Sequence, residues 1–324
     1  MYLRITQTLV RGLIVLITAL FYTLFERKLL RRAHIRVGPR LVGPRGLLQP
    51  FSDVLKLLSK AQTKLLTRNW AIYRVSPGLF VGTTLLLIRL ISWSRGFIRY
   101  RQLALALIAF RALGLGPLLG ASWASNSPWA RLGAARVLAQ TISYEVIAAF
   151  VLISILLIRG EAKRDLRGPI GLWAGLWVLS GVWVFCAICE SNRAPFDFGE
   201  AESELVRGVN LEYGAGLFAG LFAGEYGRIL FLRIFTGRIL TGCSWPGIGA
   251  RVTIILLYLF VWLRATAPRT RYDKLIELGW LTALPLALVV LSSSVSWVYR
   301  IMFPRRPVIA FILSPFTPGS SRLN

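Results

Sequence analysis

The sequence predicts an all-α polytopic membrane protein with about eight transmembrane helices, and three observations predict it. Hydrophobic residues make up 55% of the 324 and the mean hydropathy is +0.61, too apolar for an ordinary soluble domain. Several runs approach the roughly 20 apolar residues that cross a bilayer core as a helix. Most charges fall between those runs, where side chains reach water or headgroups. The chain reads as one integral membrane domain over 1–324.

Hydrophobic runs bounded by charge, proline or glycine place the spans near 5–26, 76–94, 102–120, 137–158, 170–190, 213–235, 249–265 and 281–300. The late stretch from Val308 to Phe316 is too short to cross and carries Pro315. Eight spans return both termini to one side. The other, inner side then receives the loop at about 27–75, the loop around 121–136, an acidic segment at about 190–213 and the stretch 266–280. Lys and Arg divide nearly evenly between the two sides, so the positive-inside rule barely orients the chain. The first span begins almost at once, with no cleavable signal or transit peptide ahead of it. That pattern suits a bacterial inner-membrane protein or one made inside an organelle, and the arginine bias favours a mitochondrial gene.

The first inner loop contains IRVGPRLVGPRGLLQPFSDVLKLLSK. Its two Gly-Pro-Arg triplets, Gly38-Pro39-Arg40 and Gly43-Pro44-Arg45, enforce turns, because proline fixes φ and glycine permits positive φ. After Pro50, the residues Phe51, Val54, Leu55, Leu57 and Leu58 have helical spacing, with Asp53, Lys56 and Lys60 on the remaining face. An amphipathic helix lying in the interface is expected there, either as a simple surface anchor or as part of a site.

The net charge of +25 raises nucleic acid as a partner, but the basic residues are scattered between apolar spans and form no separate basic domain. Nucleic-acid binding is excluded on that ground. Arg89, Arg111 and Arg233, within or near spans, are expected to snorkel or to touch other subunits. Cys186 and Cys189 form a CxxC on an apolar helix, with no second pair and one His in the chain; packing explains them better than zinc or redox chemistry. There is no P-loop, dinucleotide fingerprint, haem-ligand His pair or four-Cys cluster, so no redox centre and no metal site is expected in this chain.

Carboxylates stand out against this background. Residues 189–213 read CESNRAPFDFGEAESELVRGVNLEY and hold six of the fourteen acidic residues: Glu190, Asp197, Glu200, Glu202, Glu204 and Glu212. The spacing of Asp197, Glu200 and Glu204 permits one shared helical face, with Glu202 pointing elsewhere. A solvated acidic loop is the bland alternative, and the interleaved Pro195, Phe196, Phe198 and Leu205 speak for a packed segment. Glu145 lies two turns inside its span behind Gln140, Thr141, Ser143 and Tyr144. Glu225 sits near the middle of its span, three residues before Arg228. Ionised groups at such depth are costly and face protein or water. An inert Glu225–Arg228 pair at i, i+3 stands beside a functional role. Glu26 ends the first span beside Arg27 and Lys28, where interfacial ion pairing accounts for it equally well.

Four blocks carry a family resemblance: Glu26-Arg27-Lys28 with VGPR and GLLQPFSDVLKL, LGAARVLAQTISYEV at 132–146, ESNRAPFD on to Glu225-Tyr226, and WLRATAPRTRYDKLI at 262–276. Their order and the eight-span layout resemble the quinone-chamber membrane subunits of proton-pumping NADH:quinone oxidoreductase, respiratory complex I. The resemblance implies a subunit that forms the membrane end of the quinone tunnel and couples quinone reduction to proton translocation in the mitochondrial, or else bacterial, inner membrane. It implies ubiquinone as substrate, with FMN, NADH and iron–sulfur clusters in partner subunits. Partners would be the peripheral-arm quinone-site subunits, antiporter-like membrane subunits and lipids.

By position, the resemblance assigns proton-linked roles to Glu145, Glu190, Asp197, Glu200, Glu202, Glu204, Glu212 and Glu225, with Arg193 and Tyr144 as partners. Quinone-binding roles fall to Glu26, Arg27, Arg36, Gln49, Phe51, Asp53 and Lys56, and the peripheral-arm border to Arg269, Arg271 and Asp273. Family orientation puts the acidic loops on the matrix or cytoplasmic side. Departures include Lys60-Ala61-Gln62 where many relatives carry an acid, Ser52, Gly199, Ala201 and Arg207. The rival readings are an ion-translocating anchor subunit of a related membrane-bound hydrogenase, and a mainly structural anchor between the two arms.

Overall fold

The computed structural model describes residues 2–62, 69–93, 108–109, 111–165, 177–199, 206, 208–241 and 246–302. The described residues are helices and connecting turns. Ten α-helices follow in order: α1 Tyr2–Ala33, α2 Gln49–Ser59, α3 Trp70–Trp93, α4 Leu115–Ala124, α5 Pro128–Asp165, α6 Trp177–Glu190, α7 Ala215–Thr241, α8 Pro246–Thr266, α9 Tyr272–Leu278 and α10 Leu284–Met302. A π-helical turn, Gly279–Ala283, joins the last two.

Among the described residues five stretches are long and apolar enough to cross a membrane: Trp70–Arg89, Pro128–Leu157, Ala215–Gly237, Gly249–Thr266 and Tyr272–Ser296. They match the spans expected at 76–94, 137–158, 213–235, 249–265 and 281–300. The span expected at 5–26 lies inside the 32-residue α1. Parts of those expected at 102–120 and 170–190 fall outside the described residues, with α4 and the apolar Leu179–Glu190 of α6 covering the remainder. Val308 to Phe316 lies outside them altogether.

Boundaries differ from expectation for identifiable reasons. Helix α5 begins at Pro128, well before 137, because the Ser127 hydroxyl accepts the Ala130 N–H at 3.2 Å and Pro128 opens the first turn, where its missing donor costs nothing. Helix α3 begins at Trp70 and runs straight through Pro77. Proline supplies no N–H to the carbonyl four residues back. That carbonyl, Tyr73 O, instead lies 3.3 Å from the Tyr213 hydroxyl. Helix α1 continues past Glu26 to Ala33, its last turn holding Arg31 and Arg32, which suit the negative end of the helix dipole.

The largest core cluster joins α5, α6, α7 and the α9–α10 run through Tyr144, Val151, Trp183, Phe231 and Ala287. Trp183 satisfies its indole N–H on Thr236 Oγ1 at 3.1 Å. Helix α7 also packs closely on α3: a Cβ at Gly220 would meet Pro77 Cβ at 3.2 Å, and one at Gly224 would strike the Phe80 ring.

The loop after α1 turns at its second Gly-Pro-Arg triplet, where Gly43 and Gly46 have φ of 72° and 73° around the 3-10 turn Pro44–Gly46. The first triplet uses its glycine for space instead, since a Cβ at Gly38 would come within 2.6 Å of Arg31 Cδ. The amphipathic helix expected after Pro50 is α2. It docks on α1 through an edge-on Phe21–Phe51 contact at 5.8 Å, while Leu55 and Leu58 remain exposed.

Candidate functional site

The chain ends of several helices gather on one face. Helix α2 lies against the start of α7, where Leu58 and Gln62 border Gly216 at 3.7 Å. The loop after α6 meets the loop after α8 through the Thr270 N–H and Pro195 carbonyl at 3.4 Å. The Tyr213 hydroxyl reaches the end of α4 at Ala121 O, 3.1 Å away. The first loop, the acidic segment and the stretch after α8 therefore share a side, as the span count required.

From that face a run of ion-paired side chains leads into the helices. Glu26 of α1 is 5% exposed and accepts hydrogen bonds from Arg264 of α8 and, at 3.1 Å, from the Tyr226 hydroxyl of α7. Arg193 lays its guanidinium over the Tyr226 ring at 4.6 Å and lies 3.1 Å from Glu225 Oε1. Glu225 shares a cavity with Arg228, Asp197 and Glu190, also bordered by Ser191, Asn192 and Asn210. The cavity offers about 40 Å³ to water centres, enough for two or three molecules. Beyond it, buried Glu190 accepts the Arg111 Nε–H at 2.8 Å, a second Arg111 N–H on its other oxygen, and Arg228 Nη2 at 3.3 Å. Glu145 of α5 has Arg111, Glu190 and Arg228 as charged neighbours.

Local structure explains how these groups are held. Gln140 of α5 donates to Cys189 O at 2.7 Å and Phe196 O at 3.2 Å, stapling the turn after α6. Gly133, Gly199 and Gly208 meet where the acidic segment passes α5; a Cβ on Gly133 would lie 3.0 Å from Gly199 O. Tyr144 donates to Leu275 O at 2.7 Å beside the π turn, and Gly279 leaves it room. Tyr144 is thereby tied to α9, away from the cavity.

Among the expected proton-linked residues, Glu145, Glu190, Asp197, Arg193 and Glu225 come together. Glu212 takes part through its backbone, accepting the Tyr73 hydroxyl at 2.8 Å. Glu200, Glu202 and Glu204 lie outside the described residues, and Asp197 to Gly199 is bent chain, with no helix beginning at Asp197. Arg228 reaches across to Glu190, an interhelical pairing in place of the purely local one weighed for it. Of the expected quinone-binding set, Arg27 and Gln49 hold Asp53 at 2.7 and 2.9 Å, Phe51 is half-exposed, and Lys56 and Arg36 are exposed. Glu26 stands apart from this group, inside the charged run. Arg269, Arg271 and Asp273 lie exposed at the rim, with Arg269 over the Phe198 ring and Arg271 3.1 Å from Asp273.

Two arginines expected to snorkel do not. Arg111 is 3% exposed and clamps Glu190. Arg233 is buried between the Tyr22 ring at 4.9 Å and the Phe260 ring at 4.4 Å, donating to the Tyr22 hydroxyl. Cation–π contacts of this desolvated kind contribute about 2 kcal/mol each. Sequence reasoning also missed Arg264 and Gln140. Their signal was a polar residue on an apolar span, readable as a partner for some acid without saying which.

Comparison with known proteins agrees with the motif blocks. The family profile described as NADH dehydrogenase matches residues 6–295. A Paracentrotus lividus protein named NADH-ubiquinone oxidoreductase chain 1 is 38% identical over 296 residues, covering 87% of this chain and 91% of its own. The Papio hamadryas protein of that name is 40% identical over 288 residues, covering 85% and 91%, and the Tamias sibiricus one 36% identical over 315, covering 94% and 96%. With most of both sequences aligned and the motif blocks in place, this chain belongs to the NADH dehydrogenase family.

Proposed function

We propose that the chain is a core membrane subunit of mitochondrial respiratory complex I, forming the membrane end of the quinone tunnel and coupling ubiquinone reduction to proton translocation. One observation carries this reading: an ion-paired run from Glu26, at the α1 end beside α2, to the Glu190 and Glu145 cluster inside the helices. Residues 26–56 offer a ligand both chemistries a quinone needs. Arg27, Gln49 and Asp53 are polar and reachable, while Phe51 and Leu55 present apolar surface for a tail.

The chain supplies no electrons of its own, so they arrive from iron–sulfur clusters in a peripheral-arm partner, which also accounts for FMN and NADH. Arg269, Arg271 and Asp273 border that partner. Reduction of the quinone to quinol consumes two electrons and two protons. The proton demand changes charge near Asp53 and Glu26, and the carboxylates along the run respond to it. Glu190, Asp197 and Glu225 carry the response toward antiporter-like neighbours.

Photo-crosslinking with an azido-quinone in the purified complex tests the first part. Labelling within residues 26–56, blocked by excess quinone, is the expected result. No labelling of this chain under turnover would favour a hydrogenase-type or purely anchoring subunit.

A further inference from the structure

Glu190 and Glu145 are neighbours with opposite environments. Both Glu190 oxygens are already engaged: Oε1 accepts from Arg111 Nε at 2.8 Å and Arg228 Nη2 at 3.3 Å, and Oε2 from Arg111 Nη2. The three groups are 3%, 6% and 7% exposed for Arg111, Glu190 and Arg228. A proton added to Glu190 would have to occupy a lone pair that a guanidinium N–H now fills, and a guanidinium does not give up its own proton. Glu190 is also the last residue of α6, where the helix dipole disfavours an anion, so the two arginines offset a local cost.

The charge count then selects Glu145. Two arginines and Glu190 leave one positive charge uncompensated, and Glu145 faces all three. Its Oε1 is buried with no hydrogen-bond partner. Such an acceptor is costly to leave empty, and a proton or a water is what meets it.

We infer that Glu190 is a fixed counter-charge clamped by Arg111 and Arg228, a positioning residue, and that Glu145 is the carboxylate of this cluster that exchanges a proton. This rests on the proposed coupling of quinone reduction to proton movement. It divides roles within a set that the sequence treated as equivalent.

The test uses assembled complex carrying Glu190→Gln, Arg111→Gln, the two together, or Glu145→Gln. Glu190→Gln alone leaves the arginines facing an amide and lowers assembly or coupled turnover about tenfold or more. The paired variant restores the net charge and sets two amides opposite each other, so it recovers most of that loss. If the pair is no better than Glu190→Gln, the fixed-charge assignment is overturned. Infrared difference spectra on quinone reduction give an independent readout. A carboxyl carbonyl signal that is lost in Glu145→Gln and retained in the paired variant is expected. The reverse pattern, or no signal sensitive to Glu145, overturns the assignment of the exchanging group. An unchanged proton-to-electron ratio in Glu145→Gln with that signal intact in wild type would instead count against proton coupling in this subunit.

Discussion

Tyr213 stands two residues before α7, its ring stacked 4.3 Å from Tyr73 and its hydroxyl between the carbonyls of Tyr73 and Ala121. It answers a vacancy that Pro77 creates in α3. Burial pushes the Tyr213 phenol above its ordinary value, with Tyr73 adding to the effect. The folded chain keeps that proton where the unfolded chain releases it. The stabilisation is therefore complete below about pH 10 and declines as pH rises further. Tyr213→Phe is expected to lower stability by about 1 kcal/mol at neutral pH and to flatten that alkaline decline. Thermal inactivation midpoints of the complex between about pH 7 and about pH 11 check both; an unchanged alkaline slope would remove Tyr213 from the effect. At this scale the sequence showed which residues are chemically unusual and hid their partners. Arg111 stood out as a charge on an apolar run, but Glu190, its partner, lies 79 positions away.

Helix α7 shows what spacing can and cannot reveal at the scale of elements. Gly216, Gly220 and Gly224 recur every four residues, which places them on one face and permits close helix approach. Only the fold shows that the face meets α3, and that its tightest point is Gly224 against Phe80. Gly224→Ala forces a methyl into that ring and is expected to cost about 1–3 kcal/mol. Gly227→Ala meets Thr84 Oγ1 at 3.2 Å, where a small shift suffices, and is expected to cost less than about 1 kcal/mol. Heat inactivation of the two variant complexes, read side by side, checks the order; equal midpoints would mean the α3–α7 contact is looser than described. The α5 start was legible from Ser127-Pro128, a capping residue followed by proline. The α3 start was not, because Pro77 reads as a helix boundary unless Tyr213 is known to satisfy the freed carbonyl.

Across the whole molecule, the charged run is assembled from segments that lie far apart in the chain. Glu26 and Arg264 are 238 positions apart, and Tyr226 and Glu26 are 200 apart. Local patterning located each acid, and only the packing of α1, α6, α7 and α8 strings them together. Arg193 occupies the middle of the run, bonded to Glu225 on one side and stacked on Tyr226 on the other. Two qualities of arginine are used there, its charge and its flat cation face. Lysine keeps the first and lacks the planar fork; glutamine keeps neither. If charge shifts at the α1–α2 end travel to the cavity through this point, the ratio of protons moved to NADH oxidised should fall most in Arg193→Gln. Arg193→Lys should fall between it and the wild type. Electron transfer from NADH to a water-soluble acceptor that bypasses quinone should stay constant, because it runs entirely through partner subunits. Proteoliposomes containing each variant complex, with proton uptake and NADH oxidation recorded together, give the ratio directly. A fully assembled Arg193→Gln complex that pumps at the wild-type ratio would show that the run is structural here and that coupling follows another path.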